Sequence, residues 1–128
     1  METKRLKFPK KWRLKLRKDF KGLVQFGEAV QDEFFVIIYR KNGLEYSRFG
    51  ISIKKKFGKA VKRNRARRWI KECVRQNISF IPQGYDFLVI TRKRFSELFE
   101  KLNYYKCCED LLELLKRVNN EKNSTINH

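Results

Sequence analysis

RFGISIKKKFGKAVKRNRARRWIKE, residues Arg48 to Glu72, decides the fold, because a strand pattern and a helix pattern meet inside it. Ser47 to Ile53 reads as a β-strand. From about Lys59 to Asn77 the apolar residues recur at helical spacing instead: Ala66, Trp69, Ile70, Cys73 and Val74 form one stripe. At 100° per residue, Asn64, Arg68, Lys71 and Arg75 fall on the opposite side, flanked by Arg65 and Arg67. One face packs and the other is free to meet a partner.

The partner's charge follows from the same stretch. Ten Lys or Arg lie among the eighteen residues from Lys54 to Lys71, with no acid between them. Like charges at this density destabilise a helix unless something offsets them, and a merely solvated helix face interleaves acids at i±4. Arg63, Arg65, Arg67 and Arg68 carry planar guanidinium forks suited to phosphate oxygens. Lys54, Lys55, Lys56 and Lys59 sit near the positive end of the helix dipole, which itself favours anions. Over the whole chain, 32 Lys plus Arg against 14 Asp plus Glu leave a net charge of +18. A polyanion, with nucleic acid first, is the expected partner.

Outward from this core segment, 128 residues suffice for one domain with one core. Residues 1–18 hold nine basic residues and one acid, with Pro9 in the middle, and read as an extended basic arm with Phe8 and Trp12 free to pack. A short helix begins with Asp19 as N-cap, presents Phe20, Leu23 and Val24, and stops at Gly27. Glu33 to Arg40 is a strand, and Lys41-Asn42-Gly43 then signals a turn into an antiparallel partner near Ser47 to Ile53. Alternation places Phe35, Ile37 and Tyr39 on one face of the first strand and Phe34, Val36, Ile38 and Arg40 on the other, so both faces are apolar. Tyr85 to Thr91 contains an unbroken FLVI, which marks an interior strand. Ser96 to Leu102 forms a helical turn, and Tyr104, Cys107, Cys108, Leu111, Leu112, Leu115 and Val118 define a last amphipathic helix. Residues 119–128 read as a polar, frayed tail. The sum is a single α+β domain over residues 19–118, of order αβββαβα when a short extra strand forms near the hairpin.

Several classes are disfavoured. The one histidine is His128, the last residue, which removes a histidine acid/base mechanism, and the acids are scattered or lie on the final helix, so neither a catalytic residue nor a metal ligand set is expected in this chain. Cys73, Cys107 and Cys108 lack C-x-x-C spacing and read as three buried, reduced thiols. No run approaches the roughly 18 to 20 apolar residues of a spanning helix. With no apolar signal core at the N-terminus, a cytoplasmic protein with no membrane partner is expected. A helix-turn-helix DNA binder would need a recognition helix after a tight turn, whereas this helix is flanked by strands.

The Arg48 to Glu72 stretch closely resembles the signature of the protein subunit of bacterial ribonuclease P. In that family a strand enters a K-K-x-G-x-A-V turn and then a helix bearing Arg-Asn-Arg; here these are Lys55, Lys56, Gly58, Ala60 and Val61, then Arg63, Asn64 and Arg65. Arg13-Leu14, Asp19-Phe20 and Gly27 upstream, the FVI at Phe35, and LLKR at Leu114 to Arg117 extend the resemblance over about residues 13 to 118.

The resemblance implies an accessory subunit with no small-molecule substrate. Its partner RNA holds the catalytic centre, uses Mg²⁺, and removes the 5′ leader of precursor tRNA. It also implies a left-handed crossover from the second strand through the basic helix to the third, in a ribosomal-protein-like two-layer sandwich, although parallel crossovers are nearly always right-handed. RNA contacts are then expected at Lys54, Lys55, Lys56, Lys59, Arg63, Asn64, Arg65, Arg67, Arg68 and Lys71. A cleft for the single-stranded leader is expected at Phe20, Val24, Phe34, Val36 and Ile38, which would give the second apolar sheet face a purpose. Val24 stands where the family usually has a second Phe. The alternative with similar composition is a structural protein of ribosomal RNA.

Overall fold

The computed structural model of the chain describes residues 8–126, with side chains through Val118; residues 1–7 of the basic arm and 127–128 of the tail lie outside them. In chain order the elements are helix α1 (Arg17–Phe26), strands β1 (Glu28–Gln31), β2 (Phe35–Lys41) and β3 (Arg48–Ser52), helix α2 (Ala60–Gln76), strand β4 (Tyr85–Thr91), and helices α3 (Lys93–Leu98) and α4 (Tyr104–Ile126). The sheet order is β1-β2-β4-β3, with β4 antiparallel to β2 and parallel to β3.

The central position of β4 is what its composition demands. Tyr85 through Val89 are all buried, and only a strand with neighbours on both sides and layers on both faces can bury every residue. That placement overturns the expected hairpin. β2 and β3 do not pair, because β4 inserts between them, and Lys41-Asn42-Gly43 leads into a loop rather than a two-residue turn. In that loop the Asn42 amide N–H donates to Gly84 O at 2.9 Å and the Asn42 Nδ2 donates to Asp86 Oδ1 at 3.0 Å, so the turn signal is used to dock on β4. The extra short strand exists, but as β1, directly after Gly27 and at the outer edge of β2.

One sheet face carries the main core. Phe35, Ile37 and Tyr39 of β2, Phe49 of β3 and Phe87 and Val89 of β4 meet Ala66, Ile70, Cys73 and Val74 of α2 and Cys107, Leu111, Leu114, Leu115 and Val118 of α4. The α2 stripe is therefore the packed one, and Trp69 at its margin rests on Phe99 with ring centroids 4.5 Å apart. α2 begins after Lys59 and ends before Asn77, within a residue of the limits set by its periodicity. Burying each large side chain here contributes about 1.5–3 kcal/mol.

α1 crosses the opposite face, burying Leu23 with Leu14 and Leu88. It starts at Arg17 rather than Asp19, with Leu16 as N-cap, since Asp19 is held in the first turn by Arg48 at 3.6 Å. Gly27 does end it: a Cβ there would lie 2.4 Å from Leu23 O and 2.8 Å from Ile38 Cγ2, so the exit into β1 demands the close approach that only glycine permits.

Three further expectations change. The described part of the arm packs through Phe8 and Trp12 as expected, and what changes is that it also joins the sheet: Phe8 is buried against Trp12 and Phe49, and the Leu14 N–H donates to Phe49 O at 2.9 Å along the β3 edge. α4 continues through Ile126, past the point where polar composition suggested fraying. Cys73 and Cys108 are not reduced thiols but a disulfide, with S–S 2.07 Å, joining α2 to α4 across 35 residues. The third, Cys107, is free and buried, and burial pushes its thiol up to about 12, with Asp110 adding to the shift.

Candidate nucleic-acid interface

The basic surface is built by the entry into α2. The 3-10 turn Lys55–Phe57 buries Phe57 as a plug, and Gly58 follows at φ 155°, where an added Cβ would stand 2.6 Å from Lys62 Cδ. Ser96 Oγ donates to Phe57 O at 2.7 Å and Lys62 Nζ donates to Ser96 O at 3.0 Å, so the turn is fixed to α3 and Lys62 serves the fold. With Phe57 anchored, Lys54, Lys55, Lys56 and Lys59 are all left exposed at the start of α2.

Among the described residues, none of Lys54, Lys55, Lys56, Lys59, Arg63, Arg67, Arg68 and Lys71 is paired with an acid. Arg63 Nε donates to Gly58 O at 3.0 Å, which aims the guanidinium along the turn. Arg67 reaches Asn64 Oδ1 only at 3.5 Å, the outer limit of a hydrogen bond. Arg65 lies over Phe99 at 5.0 Å and meets Glu100 at 3.4 Å, with side-chain exposures of 37% and 63%. So exposed a pair contributes at most about 1 kcal/mol and yields readily to a phosphate. The arginines are thus oriented but not consumed internally.

Lys71 discloses a residue that the spacing did not single out. Its ammonium is pushed below the usual lysine range by burial first, then by the charges of Arg13 and Arg67. Arg13 is set on the β3 edge by its bridge to Phe49 and donates to Phe8 O at 3.4 Å. The charges of Arg13 and Arg67, from two segments distant in sequence, therefore both act on Lys71. No helical period could have found Arg13; only the pairing of the arm with β3 brings it there.

On the far side of the sheet α1 packs through Leu23 on Leu14 and Leu88, and the partly buried Phe20, Ile38 and Ile90 pack against that cluster. Val36, also half-buried, shares the sheet face of Ile38 two residues away. Val24, one turn after Phe20, is 61% exposed. Gly50 lets the Phe20 ring sit close to the sheet: a Cβ there would be 2.7 Å from Phe20 Cε1. Phe34 does not belong to this group. It is 3% exposed and packs in the main core, its ring 5.6 Å from Phe95. Asp32 accepts from the N–H groups of Phe34 and Phe35 at 2.9 and 2.8 Å, so a turn precedes β2 and period two does not extend back to Phe34. Leu88 and Ile90 were overlooked because an unbroken FLVI does not show that its residues serve two different faces.

The two surfaces differ in chemistry and lie on opposite sides of the sheet. The first presents fixed cations; the second presents apolar and aromatic side chains. Among the described residues no group of three or more His, Cys, Asp or Glu is placed to hold a metal ion. A third feature, a cavity of about 260 Å³ on the other flank of α1, is lined by Asp19, Arg40, Arg48 and Asp86 among others.

Comparison with known proteins matches residues 8–119 to the family model described as Ribonuclease P. The ribonuclease P protein component of Thermotoga sp. strain RQ2 is 50% identical over 111 residues, covering 87% of this chain and 95% of the relative. That of Fusobacterium nucleatum is 38% identical, covering 80% and 93%. The solved RNase P protein from Thermotoga maritima superposes with a TM-score of 0.79 at 50% identity, covering 82% of this chain and 96% of the other. The Staphylococcus aureus RNase P protein gives 0.75 at 30% identity, covering 84% and 94%.

Proposed function

The chain belongs to the ribonuclease P protein family, and on that premise we propose that its two surfaces divide the RNA contacts of the holoenzyme between them. It is the accessory protein subunit of an enzyme that removes the 5′ leader from precursor tRNA, the catalytic centre residing in the partner RNA. Lys54, Lys55, Lys56, Lys59, Arg63, Asn64, Arg65, Arg67, Arg68 and Lys71, joined by Arg13, hold that catalytic RNA by its phosphates. Phe20, Val24, Val36 and Ile38, with Ile90, hold the unpaired leader by stacking and apolar contact.

The observation that carries this reading is a helix face on one side of the sheet whose cations, Arg65 and Arg75 apart, have no acid partner among the described residues, set against the partly buried apolar group Phe20, Ile38 and Ile90 beside α1 on the other side, which we read as the trough for the leader. Because the sheet separates them, each can be filled without displacing the other. The protein then gains substrate affinity from the leader and screens phosphate repulsion where two RNAs approach. The family relation is what assigns the holoenzyme's magnesium to the partner RNA in this reading. The setting is the cytoplasm, where precursor tRNA is made; among the described residues no helix is long and apolar enough to cross a membrane.

Reconstitution with the catalytic RNA and precursors of graded leader length tests the division. Arg65→Ala should weaken assembly with the catalytic RNA, while Phe20→Ala should weaken binding of long-leader precursor with assembly intact. Removing the leader should abolish most of the protein's contribution to substrate affinity. If both variants fail at the same step, the division is wrong.

A further inference from the structure

Phe20 can line the leader site only if α1 is held at one depth and one register over the sheet; buried Leu23 seats the helix on Leu14 and Leu88, and a polar network fixes its first turn. Arg48 and Gly50 lie two residues apart on β3 and so project from the same sheet face. Gly50 receives the Phe20 ring, and Arg48 receives Asp19, the residue just before Phe20. The guanidinium is locked: Nε and Nη2 donate to the two Asp86 oxygens at 2.8 and 2.7 Å, and Asn42 Nδ2 holds that carboxylate at 3.0 Å. Its remaining edge, Nη1, points at Asp19 Oδ2 at 3.6 Å. That oxygen is fully buried and has no hydrogen-bond partner among the described residues, so Arg48 is what compensates its charge. The three side chains are 23%, 12% and 20% exposed, which keeps the network screened less than a surface pair.

We propose that Asp19 and Arg48 are positioning residues for leader recognition: the Asp86-anchored guanidinium draws in the first turn of α1 and thereby sets where Phe20 stands over the trough. A polar network with no contact to the trough itself then controls its width. This rests on the trough being the leader site. A network serving stability alone would lower the melting temperature without regard to the leader; a positioning network acts through Phe20 and is silent once Phe20 is gone.

The test is a double-mutant cycle with the reconstituted holoenzyme, reading KM and kcat for precursors with a long leader and with a single-nucleotide leader. Asp19→Asn in the otherwise unchanged protein is expected to raise KM for the long-leader precursor roughly threefold to tenfold, the lower part of the coupling range for contacting residues, with kcat unaltered. In the Phe20→Ala background the same change is expected to add nothing. Arg48→Lys keeps the charge but loses the fork, and should repeat both results, covering the case in which Asp19→Asn does not fold. An equal loss in both backgrounds, or no loss in either, overturns the positioning role. A Phe20→Ala variant with normal leader dependence overturns the trough itself, a result visible before any Asp19 variant is compared.

Discussion

Replacing Gly50 by alanine adds one methyl group to the floor beneath Phe20. The new Cβ would stand 2.7 Å from Phe20 Cε1, 3.1 Å from Cζ and 3.4 Å from Leu88 Cδ1. Carbon contacts settle at about 3.5–4.0 Å, so the ring must retreat by roughly 0.8 Å or more. Leu88 is buried, whereas Phe20 is only partly buried, so the ring is the side that yields and its plane shifts. Relief of that kind places the stability cost near the lower end of the usual overpacking range, about 1 kcal/mol. The functional cost is larger than that figure suggests, because base stacking on an aromatic ring contributes about 1–3 kcal/mol and falls away when the planes are misaligned. A loss of about 1 kcal/mol of it corresponds to roughly a fivefold weaker affinity for the leader. Equilibrium binding of holoenzyme to precursors with leaders of one and of ten or so nucleotides reads this directly: the long-leader complex should weaken and the short one should not. If Gly50→Ala leaves the long-leader affinity unchanged while the melting temperature also stays put, the contact geometry argued above is wrong.

Glu100→Gln should free Arg65 from its exposed partner and tighten binding to the catalytic RNA about twofold in a filter or mobility assay; weaker binding would show that the pair orders Arg65 for RNA. Affinity for the catalytic RNA should fall by about three to five decades between ~50 and ~200 mM salt if roughly 6 to 10 phosphates are neutralised, and a shallow slope would remove the assignment of the α2 face. Reducing the Cys73–Cys108 bond reopens a loop of 35 residues, for which chain entropy predicts a loss of about 3–4 kcal/mol and a melting temperature lower by about 10 °C. A melt insensitive to reductant would refute that contribution. Cys107, held neutral by burial, should resist alkylation in the native protein and react only on unfolding.

Local features were the readable ones. α2 could be bounded within a residue because its stripe, its charged face and its glycine-containing entry are all expressed within consecutive turns. The interior nature of β4 was equally plain from its unbroken apolar run. What failed were inferences that needed to know a neighbour. Asn42-Gly43 has the composition of a hairpin turn, but the loop's hydrogen bonds run to Gly84 and Asp86, so β2 acquired β4 and not β3 as a partner. Phe34 continued the alternation on paper, and only the Asp32 turn shows that the chain rotates it into the core. Asp19 looked like a helix cap until Arg48 claimed its carboxylate.

The amino-acid order alone determined that a basic amphipathic helix must be paired with a polyanion and packed on a sheet through Ala66, Ile70, Cys73 and Val74, since charge density and helical period are properties of adjacent residues. It also carried the family signature around Arg63, Asn64 and Arg65. Tertiary structure alone decided strand order, the bond between Cys73 and Cys108, the placing of Arg13's charge near Lys71, and the grouping of Phe20, Ile38 and Ile90 around Leu23 and Leu88. Each of these joins segments far apart along the chain, and their pairing is selected by the burial and hydrogen bonding of the whole domain, which no local pattern encodes.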